Sequence, residues 1–225
     1  MIGQSTWLVR VSMIVALLFA PLLMAASADQ TASVKTPHLT ASLVSEHTGV
    51  VPGQPFWVAL HFDIIPEWHT YWRNPGDSGN APTLSWSLPQ GFSAAEIHWP
   101  YPQRLPVGPL MNYGYSGQAM LLVEITPPGD LVPGQVIELL ADAEWLVCKV
   151  QCIPEEGSFR LSLPVVASSR QTPTDWADAF GEARQRLPQP LPWSATVDVD
   201  ASQLTASIDM AGVDASRLHA VYFYA

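Results

Sequence analysis

Between Phe56 and Asp63 the chain alternates, with Phe56, Val58, Leu60 and Phe62 interleaved with Trp57, Ala59, His61 and Asp63. The same period of two runs through Leu84, Trp86 and Leu88, through Leu121, Val123 and Ile125, and through Phe159, Leu161 and Leu163. A strand sends successive side chains to opposite faces, so each run predicts a half-buried β-strand. Turn formers separate the runs: Val51-Pro52-Gly53, Asn74-Pro75-Gly76, Pro89-Gln90-Gly91, Pro127-Pro128-Gly129 and Pro133-Gly134. Short strands punctuated in this way predict an all-β fold, an immunoglobulin-like β-sandwich over residues 34–166.

The period then changes. Residues 167–190 read as a linker and one short helix. Thr172 offers a cap, Pro173 suits the first helical position, and Trp176, Phe180, Ala183 and Leu187 fall on one face. Pro188 and Pro190 end it. Strand-like patterning resumes in Thr196-Val197-Asp198-Val199 and in Val221-Tyr222-Phe223-Tyr224. Residues 191–225 hold too few strands for a second sandwich, so they are expected to be the truncated start of a second β domain.

Composition and charge narrow the setting. Arg10 is the lone charge before Asp29; an apolar run from Val11 to Met24 follows it, then Ala26-Ser27-Ala28. That order predicts a signal peptide over residues 1–28 and export, with a bacterial periplasm favoured. The run is short for a membrane span; a retained N-terminal anchor is the competing reading. The chain carries 10 basic and 20 acidic residues, a net charge of −10, with Lys35 and Lys149 its two lysines. Such a balance argues against nucleic acid and anionic membrane surfaces as partners.

The candidate chemistry rests on the two cysteines, Cys148 and Cys152. In an exported chain two cysteines normally pair. The loop they close is small, worth roughly 2 kcal/mol in the chain-entropy picture, which is little for a sandwich of this size. In an extended strand their Cα atoms would stand about 13 Å apart. A disulfide needs less than about 7 Å, so the segment must fold back sharply. A local staple and a redox-active pair both satisfy that requirement.

The surroundings of the pair carry a resemblance. Trp145-Leu146-Val147-Cys148-Lys149-Val150-Gln151-Cys152-Ile153-Pro154-Glu155-Glu156 resembles the cysteine segment of the N-terminal periplasmic domain of DsbD-family membrane thiol–disulfide reductases, above all the ScsB copper-tolerance branch. His69-Thr70-Tyr71-Trp72-Arg73-Asn74-Pro75-Gly76-Asp77-Ser78-Gly79 resembles the aromatic strand and loop of that branch. Gly108-Pro109-Leu110-Met111-Asn112-Tyr113-Gly114-Tyr115 resembles the family's loop beside the cysteines. The likeness spans about residues 36–166 and, more loosely, the tail to residue 225. Three residues separate the cysteines, fewer than in the DsbD pair, which favours the ScsB-like branch.

The resemblance implies an immunoglobulin-like protein-disulfide reductase domain, part of a larger membrane-anchored parent. It would take electrons from the parent's C-terminal thioredoxin-like domain and pass them to soluble periplasmic thioredoxin-like proteins. Cys148 and Cys152 would be the catalytic pair, with Cys152 joining the partner and Cys148 resolving. Met111, Asn112, Tyr113 and Gly114 would form a cap loop, with Gly108 and Gly114 as hinges and Tyr71 beside the site. No cofactor and no metal is implied. By charge, Lys149 would favour a thiolate, and Glu144, Glu155 and Glu156 would oppose it. The rival readings are a copper-binding domain using soft sulfur ligands, an interaction module with an inert disulfide, and a sugar-binding sandwich using some of the nine tryptophans.

Overall fold

The computed structural model describes residues 32–190, 193–210, 216, 222 and 224. The expected signal peptide, Val221 and Phe223 lie outside the described residues. The strands are β1 (Ser33–Lys35), β2 (Leu39–Ser45), β3 (Phe56–Ile64), β4 (Thr70–Gly76), β5 (Thr83–Ser87), β6 (Ser93–Ala94), β7 (Gln103–Val107), β8 (Leu110–Tyr115), β9 (Gln118–Thr126), β10 (Val136–Cys148) and β11 (Cys152–Pro164). Helix α1 (Ala177–Gln185) follows, then β12 (Ser194–Val199) and β13 (Leu204–Asp209).

Two sheets face each other as an immunoglobulin-like sandwich, ordered β1-β2-β3-β9-β6 and β11-β10-β5. A smaller sheet, β4-β8-β7, abuts them. The predicted alternation selects the inward face. Val58, Leu60 and Phe62 of β3 meet Leu121 and Val123 of β9, and the facing sheet contributes Leu139, Ala141, Ala143, Trp145 and Phe159. Burying apolar area at about 25 cal/mol per Å² drives the two sheets together.

The opposite face of β3 and β9 is also covered. Phe180 and Ala183 of α1 pack on Val44, Ala59, Met120 and Leu122, with Trp176 and Leu187 at the margin. The predicted helix face is therefore the buried one, but the helix begins at Ala177 instead of just after Thr172. Residues 172–174 run extended instead. Thr48 N–H donates to Thr172 O at 2.8 Å, and Thr174 N–H donates to Glu46 O at 2.9 Å. The Thr174 hydroxyl donates to Ser45 O at 2.7 Å. Pairing with the end of β2 thus overrides a local cap signal. Arg184 then closes an ion pair onto Glu46, holding the helix to the sheet.

β12 and β13 form a two-stranded sheet of their own, with Val197, Val199, Leu204 and Ile208 exposed. No helix among the described residues is long and apolar enough to cross a membrane.

Candidate redox site at the tip of a long hairpin

β10 and β11 pair along their whole length, from Val136↔Pro164 to Cys148↔Cys152, and Lys149, Val150 and Gln151 make the turn. The cysteines are thus directly opposite each other at the last rung. The N–H and C=O of Cys148 both point away from β11, bonding His69 O at 2.9 Å and His69 N–H at 3.0 Å. That leaves Cys148 and Cys152 as a non-hydrogen-bonded pair, the type in which facing side chains stand closest. Their Cα atoms are 4.2 Å apart and their sulfurs are bonded. Pro154 fits because β11 is an edge strand, where a missing N–H costs no ladder bond.

The two sulfurs have unequal access. Cys148 is 3% exposed, whereas Cys152 lies at the surface. On the disulfide's own face the Tyr71 phenol meets both, 3.1 Å from Cys148 Sγ and 3.2 Å from Cys152 Sγ. Tyr71 itself is 1% exposed. Burial pushes its pKa up, only partly opposed by the neighbouring Ser78 hydroxyl, so the phenol keeps its proton.

Two glycines allow that placement. A Cβ on Gly79 would stand 2.1 Å from Tyr71 Cζ, and one on Gly114 would stand 2.0 Å from Thr70 O. The loop after β4 is pinned to β8 in turn. Ser78 donates its N–H and its hydroxyl to Asn112 Oδ1 at 3.1 and 3.0 Å. Asp77 N–H donates to Met111 O at 3.1 Å, and Met111 N–H donates to Asp77 Oδ2 at 2.8 Å.

The stretch expected as a cap loop is therefore a strand. Residues 110–115 form β8, the middle of its sheet, and Gly114 is paired with Tyr71 in a close backbone approach instead of acting as a hinge. Gly108 sits in the β7–β8 turn with a positive φ of 58°. Strand alternation divides the expected shielding residues. Asn112 and Gly114 share the face of Tyr71. Met111 and Tyr113 take the other face, where Tyr113 packs edge-on against Tyr224 at 4.9 Å and belongs to the Trp72 cluster. Tyr71 hydrogen-bonds both sulfurs, and Tyr113 lies on the opposite face of its strand.

The charged neighbours also sort by face. Glu155 points away from the disulfide, where it accepts hydrogen bonds from Thr36 Oγ1 at 2.7 Å and Trp145 Nε1 at 3.1 Å and pairs with His38 Nδ1 at 2.8 Å. It ties the β1–β2 connection to the hairpin. Lys149 pairs with Glu67 at 2.7 Å on the surface.

His69 is the neighbour that sequence proximity does not reveal, lying far from the cysteines along the chain. It is buried, with its ring edge-on to Tyr71 at 5.4 Å and its Nε2 without a hydrogen-bond partner. Burial lowers its pKa, which keeps it neutral near pH 7. Among the described residues no three His, Cys, Asp or Glu side chains gather as a metal-holding group.

Comparison with known proteins agrees with this geometry. The chain is similar to the crystal structure of the N-terminal periplasmic domain of ScsB from Proteus mirabilis, at 22% identity and a TM-score of 0.57. The match covers 79% of this chain and 68% of that one. At that identity the likeness establishes the shared fold. A yeast GGA1 GAE-domain structure overlaps at a TM-score of 0.32 and 14% identity, over 57% of this chain and 94% of that one, too remote to bear on the fold. No curated protein matches the sequence. The family profile described as thiol:disulfide interchange protein DsbD, N-terminal, matches residues 40–164, more than half of the chain. With a disulfide at the hairpin tip inside the matched span, this chain belongs to the DsbD N-terminal domain family and is a thiol–disulfide interchange domain.

Proposed function

We propose that Cys148 and Cys152 carry two electrons at a time from the thioredoxin-like domain of a membrane-anchored parent reductase to soluble thioredoxin-like proteins of the periplasm, in the copper-tolerance setting of the ScsB-like branch. The observation that supports this most is the inequality of the sulfurs, Cys152 at the surface and Cys148 buried behind it.

In the reduced domain the Cys152 thiolate attacks one sulfur of the partner's disulfide, and the partner's other sulfur leaves as a thiolate. The Cys148 thiolate then attacks Cys152 Sγ. The second partner sulfur leaves, and the Cys148–Cys152 disulfide forms. Two electrons pass to the partner, and each departing thiolate takes up a proton. The second step is intramolecular between residues on one rung, so the mixed disulfide is short-lived. Cys148 can resolve while remaining buried, because its target is the neighbouring sulfur. Tyr71, donating to sulfur, stabilises the negative charge on the domain's thiolate.

Single cysteine variants test the assignment on non-reducing gels with an oxidised periplasmic thioredoxin-like protein. Cys148→Ser should accumulate the mixed disulfide, and Cys152→Ser should form none. Trapping only by Cys152→Ser would reverse the two roles. Trapping by neither would remove the electron-transfer reading and leave an inert staple.

A further inference from the structure

The outer face of the β10–β11 hairpin continues away from the disulfide as an ordered strip. Along β10 the residues on the disulfide's face are Leu146 and then Glu144; along β11 they are Pro154 and then Glu156. The register pairs Leu146 with Pro154 and Glu144 with Glu156. Thr83 of β5 lies opposite Glu144 on its other side. Asn80 and Ala81, in the loop that leaves Gly79, raise one wall, and the whole forms a groove of about 670 Å³.

Glu144 and Glu156 are anomalous within this strip. Like charges directly opposite one another on a sheet are destabilising. Farther along the same face the acidic residues have partners: Glu138 binds Arg160 diagonally across the hairpin at 2.9 Å, and Asp142 accepts from the Ser158 hydroxyl on its own rung at 2.6 Å. Neither Glu144 nor Glu156 has an ion pair among the described residues, and both are exposed.

We propose that this strip is the docking surface for the thioredoxin-like partner, and that Glu144 and Glu156 select a partner bearing a lysine or arginine beside its reactive cysteine. This rests on the exchange function proposed above. By the rise of a strand, the Leu146–Pro154 rung lies about 7 Å from the disulfide and the glutamate rung about 13 Å. A partner whose sulfur engages Cys152 must lie over this groove or over the turn. The groove offers it an apolar contact first and a double negative charge beyond. A cation seated between the two carboxylates removes their mutual repulsion, which steers encounter and fixes orientation.

The test compares Glu144→Gln/Glu156→Gln with the parent. Two oxidised thioredoxin-like proteins serve as probes: one with a lysine near its active-site cysteine, and the same protein with that lysine changed to glutamate. Dithiothreitol reduction of the Cys148–Cys152 disulfide is the docking-independent control. The glutamine variant should fold at least as stably as the parent. It should be reduced by dithiothreitol at the parental rate and exchange with the lysine-bearing probe about tenfold more slowly at low ionic strength. The deficit should shrink as salt screens it. The parent should discriminate between the two probes, and the variant should not. Equal protein exchange by parent and variant would overturn the docking surface while leaving the exchange function intact. A change in the dithiothreitol rate of similar size would place the glutamates in the sulfur chemistry and also overturn it. No exchange by the parent with either probe would bring down both readings.

Discussion

Tyr71 approaches the disulfide from the neighbouring strand β4, and its hydroxyl hydrogen is shared between two sulfurs 3.1 and 3.2 Å away. In the oxidised protein that contact is a weak bond to a neutral acceptor. Once the disulfide opens, the same donor faces a thiolate, and hydrogen bonds to charged groups are worth roughly 1.5–3 kcal/mol. Tyr71→Phe keeps the ring that Gly79 and Gly114 accommodate and removes only this donor. We expect alkylation of the reduced protein by iodoacetamide near pH 7 to slow by about tenfold, because the thiolate is less populated. The oxidised protein should keep its fold, as judged by an unchanged β-rich circular dichroism spectrum. An alkylation rate unchanged in Tyr71→Phe would show that the phenol packs on the sulfurs without tuning them.

At the scale of elements, the site depends on how closely β4 and β8 approach. Gly114 stands where any Cβ would meet the backbone oxygen of Thr70 at 2.0 Å. Backbone atoms cannot swing aside as a flexible side chain would, so Gly114→Ala must separate the two strands. Overpacking of this kind costs about 1–3 kcal/mol. The separation would carry Tyr71 away from the sulfurs. Urea unfolding should show the lost stability, and the dithiothreitol reduction rate should rise as the Tyr71 shield withdraws. Gly117 makes a useful contrast, since a Cβ there meets nothing within 4 Å. Its positive φ of 72° nevertheless makes an alanine there mildly costly, without an effect on reduction.

At the scale of the molecule, two buried histidines make stability depend on pH. Burial lowers the pKa of His61, against a smaller opposing pull from Asp63, and burial lowers that of His69. In the unfolded chain both return to about 6.5. Above that value both are neutral in either state, and the full stability is present. As the pH falls below 6.5, the unfolded chain binds protons that the fold resists, so stability declines toward the depressed folded pKa values. The urea midpoint should be lower at pH 5.5 than at pH 7.5. His61→Gln should flatten that difference. A midpoint that rises on acidification over this range would show that these rings are protonated in the fold.

Local pattern determined much of this architecture. The period-two runs at Phe56–Phe62, Leu121–Ile125 and Phe159–Leu163 mark strands whose inward faces are the ones that the alternation names. The cysteine spacing required a sharp reversal, and the hairpin turn at Lys149–Gln151 supplies it. Periodicity and spacing are properties of neighbouring residues, so a sequence displays them directly. Three features arise from pairings between distant segments, and only the tertiary structure decides them. The start of α1 moved to Ala177 because residues 172–174 found partners near Glu46. Met111–Gly114 became a strand because β4 and β7 flank it, and that pairing turned Tyr113 away from the sulfurs. Tyr71 and His69 came to the cysteines through the bridge between His69 and Cys148. Which side chain faces a given atom depends on register between strands far apart in the chain, and register is fixed by the packing of the whole sandwich.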